Sequence, residues 1–372
     1  MKLELKAFLP KLTTVKKVIN NKPVIEAMAN YLLQTKNGLL YINASDSEST
    51  VSVSVTPKEF SEMNICVNAN DFYNSISKLN SNEIELLVNP EKKLIRCVYD
   101  SGFFQLPYDD NPNVTAVLEI RDDSYQIEKE ITDTYTLSDA IIKAQMAAAD
   151  DPMKPTLSGV YFDFKQDGMV IVATDANKMS KYKTDITIDT DIKGVIIPRK
   201  GANILTLLIS ECDCETVNMK VNDSSVLFKG ETFSYYIRLT EGEYPNYEIL
   251  VPTDNVYCAT VNRDALWNAI RRVVPMESEK DQLLVVNLDK GSLIVEAEDV
   301  FFKKKAKEKM ECQYDGEPVR IGMKSSNIIA LLQTIDSDDV EIHFKTTRHA
   351  VVILPNSELK DRFLTLSMPM II

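Results

Sequence analysis

The sequence predicts an α+β chain made of three copies of one unit, each pairing two helices with about eight short antiparallel strands. Helix signals of similar pattern begin near Asn70, Arg199 and Lys324, 129 and 125 residues apart. Strand landmarks keep the same register: Ala44, Ala173 and Ala297 are 129 and 124 apart, Ile84, Thr216 and Val340 are 132 and 124 apart, and Pro112 and Pro245 are 133 apart. Hairpin turns at Asn37-Gly38, Asp167-Gly168 and Lys290-Gly291 recur at matching places. Several landmarks in one order mark an internal repeat. The units divide at residues 1–125, 126–253 and 254–372.

In the first unit, Leu9, Leu12, Val15, Val18 and Ile19 form the apolar stripe of a helix over residues 8–20, with Lys11, Lys16 and Lys17 outside it. Strands follow at 31–34, 39–42 and 50–55, where Val51, Val53 and Val55 share a face. A second helix runs over 70–79, then strands at 84–88, 94–99 and 103–106, and Asp109-Asp110-Asn111-Pro112 breaks the pattern. The second unit repeats this with helices at 135–149 and from Arg199, and strands at 159–164, 169–173, 216–221 and 226–229. The third has helices at 263–274 and 324–335, and strands at 283–289, 292–297, 340–344 and 350–354. Alternating strands leave each sheet one buried and one wetter face, and the helices cover the buried one.

Composition narrows the chemistry. At 372 residues, 44% apolar and 26% charged, the chain suits a protein of two or three domains. No stretch approaches the roughly 18 apolar residues of a membrane span, and residues 1–10 lack a signal-peptide core, so a cytoplasmic protein without membrane contact is expected. Six scattered cysteines read as reduced thiols, not as a zinc knuckle or disulfide scaffold. With His343 and His349 the only histidines, a metal triad or Ser-His-Asp site has almost no material, and no catalytic residue, metal or cofactor is expected. Neither phosphate-binding glycine motif occurs. The pair Glu241 and Glu243 reads as loop surface.

A net charge of −13 opposes nucleic-acid binding unless the cations gather on one surface. They concentrate on the helices: Lys6, Lys11, Lys16 and Lys17, then Lys143 and Arg199-Lys200, then Arg263, Arg271, Arg272 and Lys324. Acidic residues crowd into strands and connections, as at Asp109-Asp110, Asp122-Asp123 and Asp336 to Asp339. Arg199 and Lys200 open a helix, where the macrodipole favours anions, so a negative partner is expected at that end.

Specific residues then resemble a known family over the whole length: Pro155-Thr156-Leu157-Ser158-Gly159-Val160, Val172-Ala173-Thr174-Asp175, Ile197-Pro198-Arg199-Lys200-Gly201, Gly242-Glu243-Tyr244-Pro245-Asn246-Tyr247 and Met368-Pro369-Met370. The chain is similar to the bacterial DNA polymerase III beta subunit, the sliding clamp family. That resemblance implies three clamp-type domains, a head-to-tail homodimer and a ring lined by twelve helices. Twelve helices about 10 Å wide enclose a hole of roughly 28 Å, and a duplex whose grooves total about 16 Å in depth passes through it. Cations that meet phosphates without reading base edges bind all sequences of double-stranded DNA alike, as sliding requires.

By family position the resemblance assigns Lys22, Lys154, Arg199 and Lys200 to the DNA-facing set, and Lys11, Arg271 and Arg272 join it on charge alone. Lys22 and Lys154 stand where relatives usually carry Arg, which keeps the charge and loses the fork. A cleft for peptides of the DNA polymerase III catalytic subunit, the clamp loader complex and other proteins with clamp-binding motifs would use Leu157, Thr174, Asn177, Met179, Pro245, Ile249, Leu250, Met368, Pro369 and Met370. Methionines suit a site with several partners, although Met179, Met368 and Met370 also read as core. Ala176-Asn177-Lys178 replaces the usual Gly-His-Arg, and Ile371-Ile372 replaces a common Arg-Leu.

For the dimer, Phe104 and Leu106 match the apolar edge of the first domain, facing Pro275 and Met276 of the third. Lys303-Lys304-Lys305, Lys307 and Lys309 occupy a usually acidic region. Either they are a solvated face, or charge has swapped across the interface toward Asp71, Asp100, Asp109 and Asp110. The other reading of the chain is a monomeric acidic repeat scaffold that binds peptides without encircling DNA.

Overall fold

The alternating strands pair as antiparallel sheets, and the pairing crosses the repeats. The computed structural model describes residues 1–20, 22–120 and 124–372, so Asp122-Asp123 lie outside the described residues. They form two compact units, one of residues 1–138 and 200–239, the other of 139–199 and 240–372, which share the middle repeat.

The first unit is built on a twelve-stranded sheet in the order Lys2–Glu4, Glu83–Asn89, Leu94–Tyr99, Gly102–Asp109, Asn64–Asn68, Asn30–Lys36, Leu39–Ser45, Ser49–Val55, Phe233–Arg238, Ser225–Lys229, Val217–Val221 and Ile127–Ile131. Its central seam joins the first repeat to the second, with Val51 opposite Tyr235 and Val53 opposite Phe233. Valine alternation predicts a wet face for Ser52 and Ser54, yet all of Ser49–Val55 is buried. Small hydroxyl side chains tolerate cover on both faces because they find partners nearby: the Ser54 hydroxyl donates to the Thr232 carbonyl at 3.3 Å.

The second unit holds an eight-stranded sheet, Gly194–Pro198, Gly159–Lys165, Gly168–Thr174, Lys178–Lys183, Phe363–Ser367, Val351–Pro355, Asp339–Phe344 and Tyr257–Asn262. A four-stranded sheet of Lys304–Glu311, Ser292–Asp299, Leu283–Asp289 and Val319–Lys324 completes it. Here Met179 of the second repeat lies opposite Leu366 of the third.

Among the described residues the α-helices are α1 Leu5–Lys16, α2 Ala69–Ile76, α3 Pro112–Ala116, α4 Thr134–Gln145, α5 Arg199–Glu211, α6 Arg263–Val273 and α7 Ser325–Leu332. α1 begins three residues before the expected start and carries Pro10 inside it. It buries Leu5, Phe8, Leu12 and Val15, burial that outweighs the backbone bond a proline removes. Pro112 starts a short helix instead of only breaking the chain, because the Asn111 side chain caps it and proline at the first turn needs no N–H partner. The Asn68 and Asn262 side chains cap α2 and α6. Phe72 of α2 meets Phe8, Tyr31 and Phe104 edge to face at 6.4, 6.3 and 6.5 Å, tying a sheet-edge side chain into the core.

Before α7 sits a carboxyl group in an unfavourable place. Glu277 is buried, accepts the Ser325 hydroxyl at 3.0 Å through Oε1 and has no partner at Oε2 among the described residues. Burial raises its pKa against the small opposing effect of that hydrogen bond. A raised folded-state pKa means that the native state holds the proton longer, so stability is lost as pH rises from the unfolded value of about 4.3 through the folded one. Glu277→Gln is expected to flatten that dependence and gain of order 1 kcal/mol at pH 8 but nothing near pH 4. Thermal melts at the two pH values check it, and a gap of equal size at both refutes it.

Candidate functional sites

The cations predicted to face DNA divide by what they touch. Lys143, counted among the helix cations though not in the DNA-facing set, is not a surface charge: its side chain is 3% exposed, and its ammonium bonds to Asp139 and, at 2.6 Å, to Asp336. Burial pulls its pKa down, but the two carboxylates more than offset this and hold it charged. Lys200 meets its negative partner within the chain, donating to the buried Asp46 carboxylate at 2.5 Å, the Val18 carbonyl at 2.7 Å and Asn20 Oδ1 at 2.9 Å. The carbonyl lies just past the C-terminal end of α1, the negative pole of its dipole. Thus the cation at the start of α5 compensates a buried carboxylate.

Lys11 donates to the Ser54 carbonyl at 2.7 Å. Arg272 grips Glu308 with two bonds of 2.6 and 2.7 Å, and Arg271 stacks on Trp267 at 4.4 Å from the ring centre. Lys22, Lys154 and Arg199 have no side-chain ion pair among the described residues, which leaves their full charge for an external anion.

The expected cleft residues all fall in the second unit. Their floor is an apolar cluster of Val170, Val172, Met179, Tyr247, Val352 and Leu366. Met179 is 0% exposed and Thr174, its strand partner, is also buried, so both lie beneath the surface. The short 3-10 turn Tyr247–Leu250 plants Tyr247 in that floor and leaves Ile249 78% exposed above it. The Tyr247 hydroxyl donates to the buried Asp163 carboxylate at 2.7 Å, which anchors the turn. Tyr244, beside the exposed Pro245, stacks on Tyr161 at 4.7 Å.

The C-terminal segment is held at two points. The Met368 N–H donates to the Asn177 carbonyl and the Met370 N–H to the Gly322 carbonyl, both at 2.7 Å. A Cβ on Gly322 would sit 2.7 Å from the Met370 carbonyl oxygen, so the close approach of this segment requires glycine. Half-buried Leu157 accepts from the Ala149 N–H at 2.9 Å, at the start of the strand pair carrying Thr174. Ala176, in the loop after Thr174, has a φ of 76°. A left-handed backbone costs a non-glycine residue about 1 kcal/mol. Ala176→Gly is expected to stabilise the protein by about that amount, raising Tm by roughly 2–4 °C; an unchanged or lower Tm in calorimetry refutes the strain.

Each unit also offers a strand edge. Gly102–Asp109 pairs along residues 102–107 with Leu94–Tyr99 on one side, and meets Asn64–Asn68 only at Tyr108 and Asp109. Phe104 and Leu106 are half-buried on it, and Arg96 lies 4.3 Å from the centre of the exposed Phe103 ring. In the second unit Lys304–Glu311 is the edge of the four-stranded sheet. Lys305 and Lys307 bond to Glu298 and Glu296 at 2.7 and 2.9 Å, while on the other edge Lys93 takes up Asp110. Lys303, Lys304 and Lys309 keep free charge, as do Asp71 and Asp100, among the described residues. Pro275 is exposed and Met276 half-buried in the 3-10 turn Val274–Met276.

Sequence reasoning missed one cluster. Cys258, Glu341 and His343 bring sulfur, oxygen and nitrogen donors within 4.8 Å of one another. The cysteine lies 85 residues from the histidine, and nothing local signals the pairing.

The triplicated α+β chain presents open sheet edges, an apolar ledge and cations without ion pairs among the described residues. Family models of the DNA polymerase III beta subunit match it in succession, the N-terminal domain at residues 1–115, the central domain at 132–246 and the C-terminal domain at 248–371. The beta sliding clamp of Treponema pallidum is 24% identical over 372 residues, covering 95% of this chain and 96% of that one. That of Staphylococcus epidermidis is 23% identical over 364 residues, covering 94% of each. The fold is similar to a sliding clamp from Bartonella birtlesii bound to griselimycin, at a TM-score of 0.91, 21% identity and coverage of 100% and 99%. It is also similar to the DNA polymerase III beta subunit of Thermotoga maritima, at a TM-score of 0.89, 20% identity and the same coverage. The chain belongs to the DNA polymerase III beta subunit family.

Proposed function

We propose that the chain is a non-catalytic DNA sliding clamp, two copies of which join head to tail and close around duplex DNA. The observation that carries this reading is the pair of open strand edges, residues 102–107 in one unit and Lys304–Glu311 in the other. An edge of unpaired N–H and C=O groups is a template for another strand. Because the two edges differ, each copy offers one to the next, a heterologous contact that closes into a ring when the rotation permits. The division into three domains at 125 and 253 suits six such domains in the ring.

Inside the ring Lys22, Lys154 and Arg199 supply most of the field, and the paired Lys11, Lys200 and Arg272 contribute less. Few phosphate contacts mean weak, salt-sensitive affinity, so retention depends on closure. The net charge of −13 then discourages DNA from binding outside. The ledge of Ile249, Leu250, Pro245 and the Met368-Pro369-Met370 segment takes short apolar peptides of the polymerase, the clamp loader and other partners. No helix among the described residues is long and apolar enough to cross a membrane, and the proposed role places the protein in the cytoplasm.

Retention on DNA tests the reading. Loaded by its clamp loader, the protein should stay on nicked circles and run off the same DNA once linearised. Equal retention on both forms, or a single-chain mass in solution, favours the monomeric peptide scaffold.

A further inference from the structure

We propose that Cys258, Glu341 and His343 form a binding site for one divalent transition-metal ion, with Zn2+ the best match to their mixed donors. Tyr257–Asn262 runs antiparallel to Asp339–Phe344, with Cys258 opposite His343 and Thr260 opposite Glu341. Side chains two residues apart on a strand share a face with the residue directly across, so this register gathers the three donors on one surface.

The spacing fits an ion. Zinc bonds of about 2.3 Å to sulfur and 2.0–2.2 Å to nitrogen and oxygen put tetrahedral neighbours about 3.5 Å apart for S and N and about 3.4 Å apart for N and O. The observed distances are 3.7 Å from Cys258 Sγ to His343 Nε2 and 2.9 Å from His343 Nε2 to Glu341 Oε2. A small separation of the imidazole and carboxylate admits the ion. Three protein donors with the exposed Cys258 on the rim leave a fourth position for water, the arrangement of an open zinc site.

The surroundings hold the ligands in place. The Asn255 side chain donates to the His343 carbonyl at 3.1 Å, fixing that strand, and Lys360 Nζ lies 3.7 Å from Glu341 Oε1, which leaves Oε2 toward the histidine. Binding deprotonates the thiol, whose proton goes to solvent, and the neutral imidazole keeps its one proton on Nδ1 while Nε2 ligates. Partial desolvation by its neighbours and the Glu341 carboxylate push the Cys258 thiol up from its ordinary range. That disfavours a nucleophilic role, whereas a bound cation deprotonates a thiol outright.

Titration of the full chain with Co2+, then competition with Zn2+, tests the site. One equivalent of Co2+ should bind with thiolate-to-cobalt charge-transfer absorption and be displaced by Zn2+. Cys258→Ser should lose that absorption, and His343→Ala and Glu341→Ala should weaken binding by at least about tenfold. Melts without metal establish that these variants fold, and metal should raise the wild-type Tm while leaving Cys258→Ser unmoved. Absence of binding at a large molar excess overturns the proposal, as does a charge-transfer band that persists in Cys258→Ser.

Discussion

Replacing Phe104 and Leu106 together by alanine is expected to convert the protein to single chains and abolish its retention on circular DNA. Both side chains are half-buried on the open edge at residues 102–107, where a partner strand would bury what one chain leaves partly exposed. Apolar anchors at the centre of an interface commonly contribute 2 kcal/mol or more each, so losing two weakens the dimer by roughly 10³-fold. Phe104 also packs on Phe72, so its loss weakens the chain itself. Leu106→Ala alone spares that contact and should loosen the dimer with little change in the single-chain melt. Sedimentation across a concentration series reads the effect; an unchanged dimer in both variants rejects the edge as the interface.

Salt separates the apolar and charged parts of this contact. If Lys303, Lys304 and Lys309 face Asp71, Asp100 and Asp109 across the interface, added salt should weaken the dimer, because the Debye length beyond which exposed charges are screened shortens from about 10 Å at 0.1 M to about 3 Å at 1 M. Arg96 on the acidic side reduces the expected slope. A salt-insensitive dimer removes the charge swap and leaves the apolar edge intact.

Deleting residues 368–372 is expected to reduce affinity for a clamp-binding peptide by about 10²-fold, nearly 3 kcal/mol, while leaving retention on circular DNA unchanged. The deletion removes Met368 and Pro369 from the ledge and breaks the bonds to the Asn177 and Gly322 carbonyls. Gly322→Ala should act in the same direction more weakly, since its Cβ would push the Met370 carbonyl away while keeping every side chain. Peptide titration by fluorescence anisotropy measures both. Full affinity in the truncated chain moves the peptide site elsewhere on the surface.

The two assays fail independently. On the proposed reading, a ring without its C-terminal segment should still enclose DNA, and a single chain with an intact ledge should still bind peptide. Loss of both activities in one variant signals unfolding, which a melt detects.

Helices and hairpins were readable because their causes are local. Asn68 and Asn262 cap their own helices, and Gly38 and Gly291 take positive φ within their own turns. The start of α1 was less clear because Pro10 looks like a first-turn residue and sits in the interior, a choice made by the burial of Leu5 and Phe8. The face of Ser52 and Ser54 was misread because alternation along a strand does not show what packs over it, and all of Ser49–Val55 is buried.

What the sequence by itself determined is the threefold order of strands and helices and the family that this order and its motifs indicate, because spacing, capping and turn chemistry act over a few residues. Which cations stay free was decided only by the tertiary structure. Lys143 and Lys200 look like surface charges until Asp336 and Asp46, 193 and 154 residues away along the chain, reach them. The same holds for the open strand edges and for the Cys258, Glu341 and His343 cluster, since a charge, an edge or a donor acquires its role from neighbours that folding brings from distant sequence.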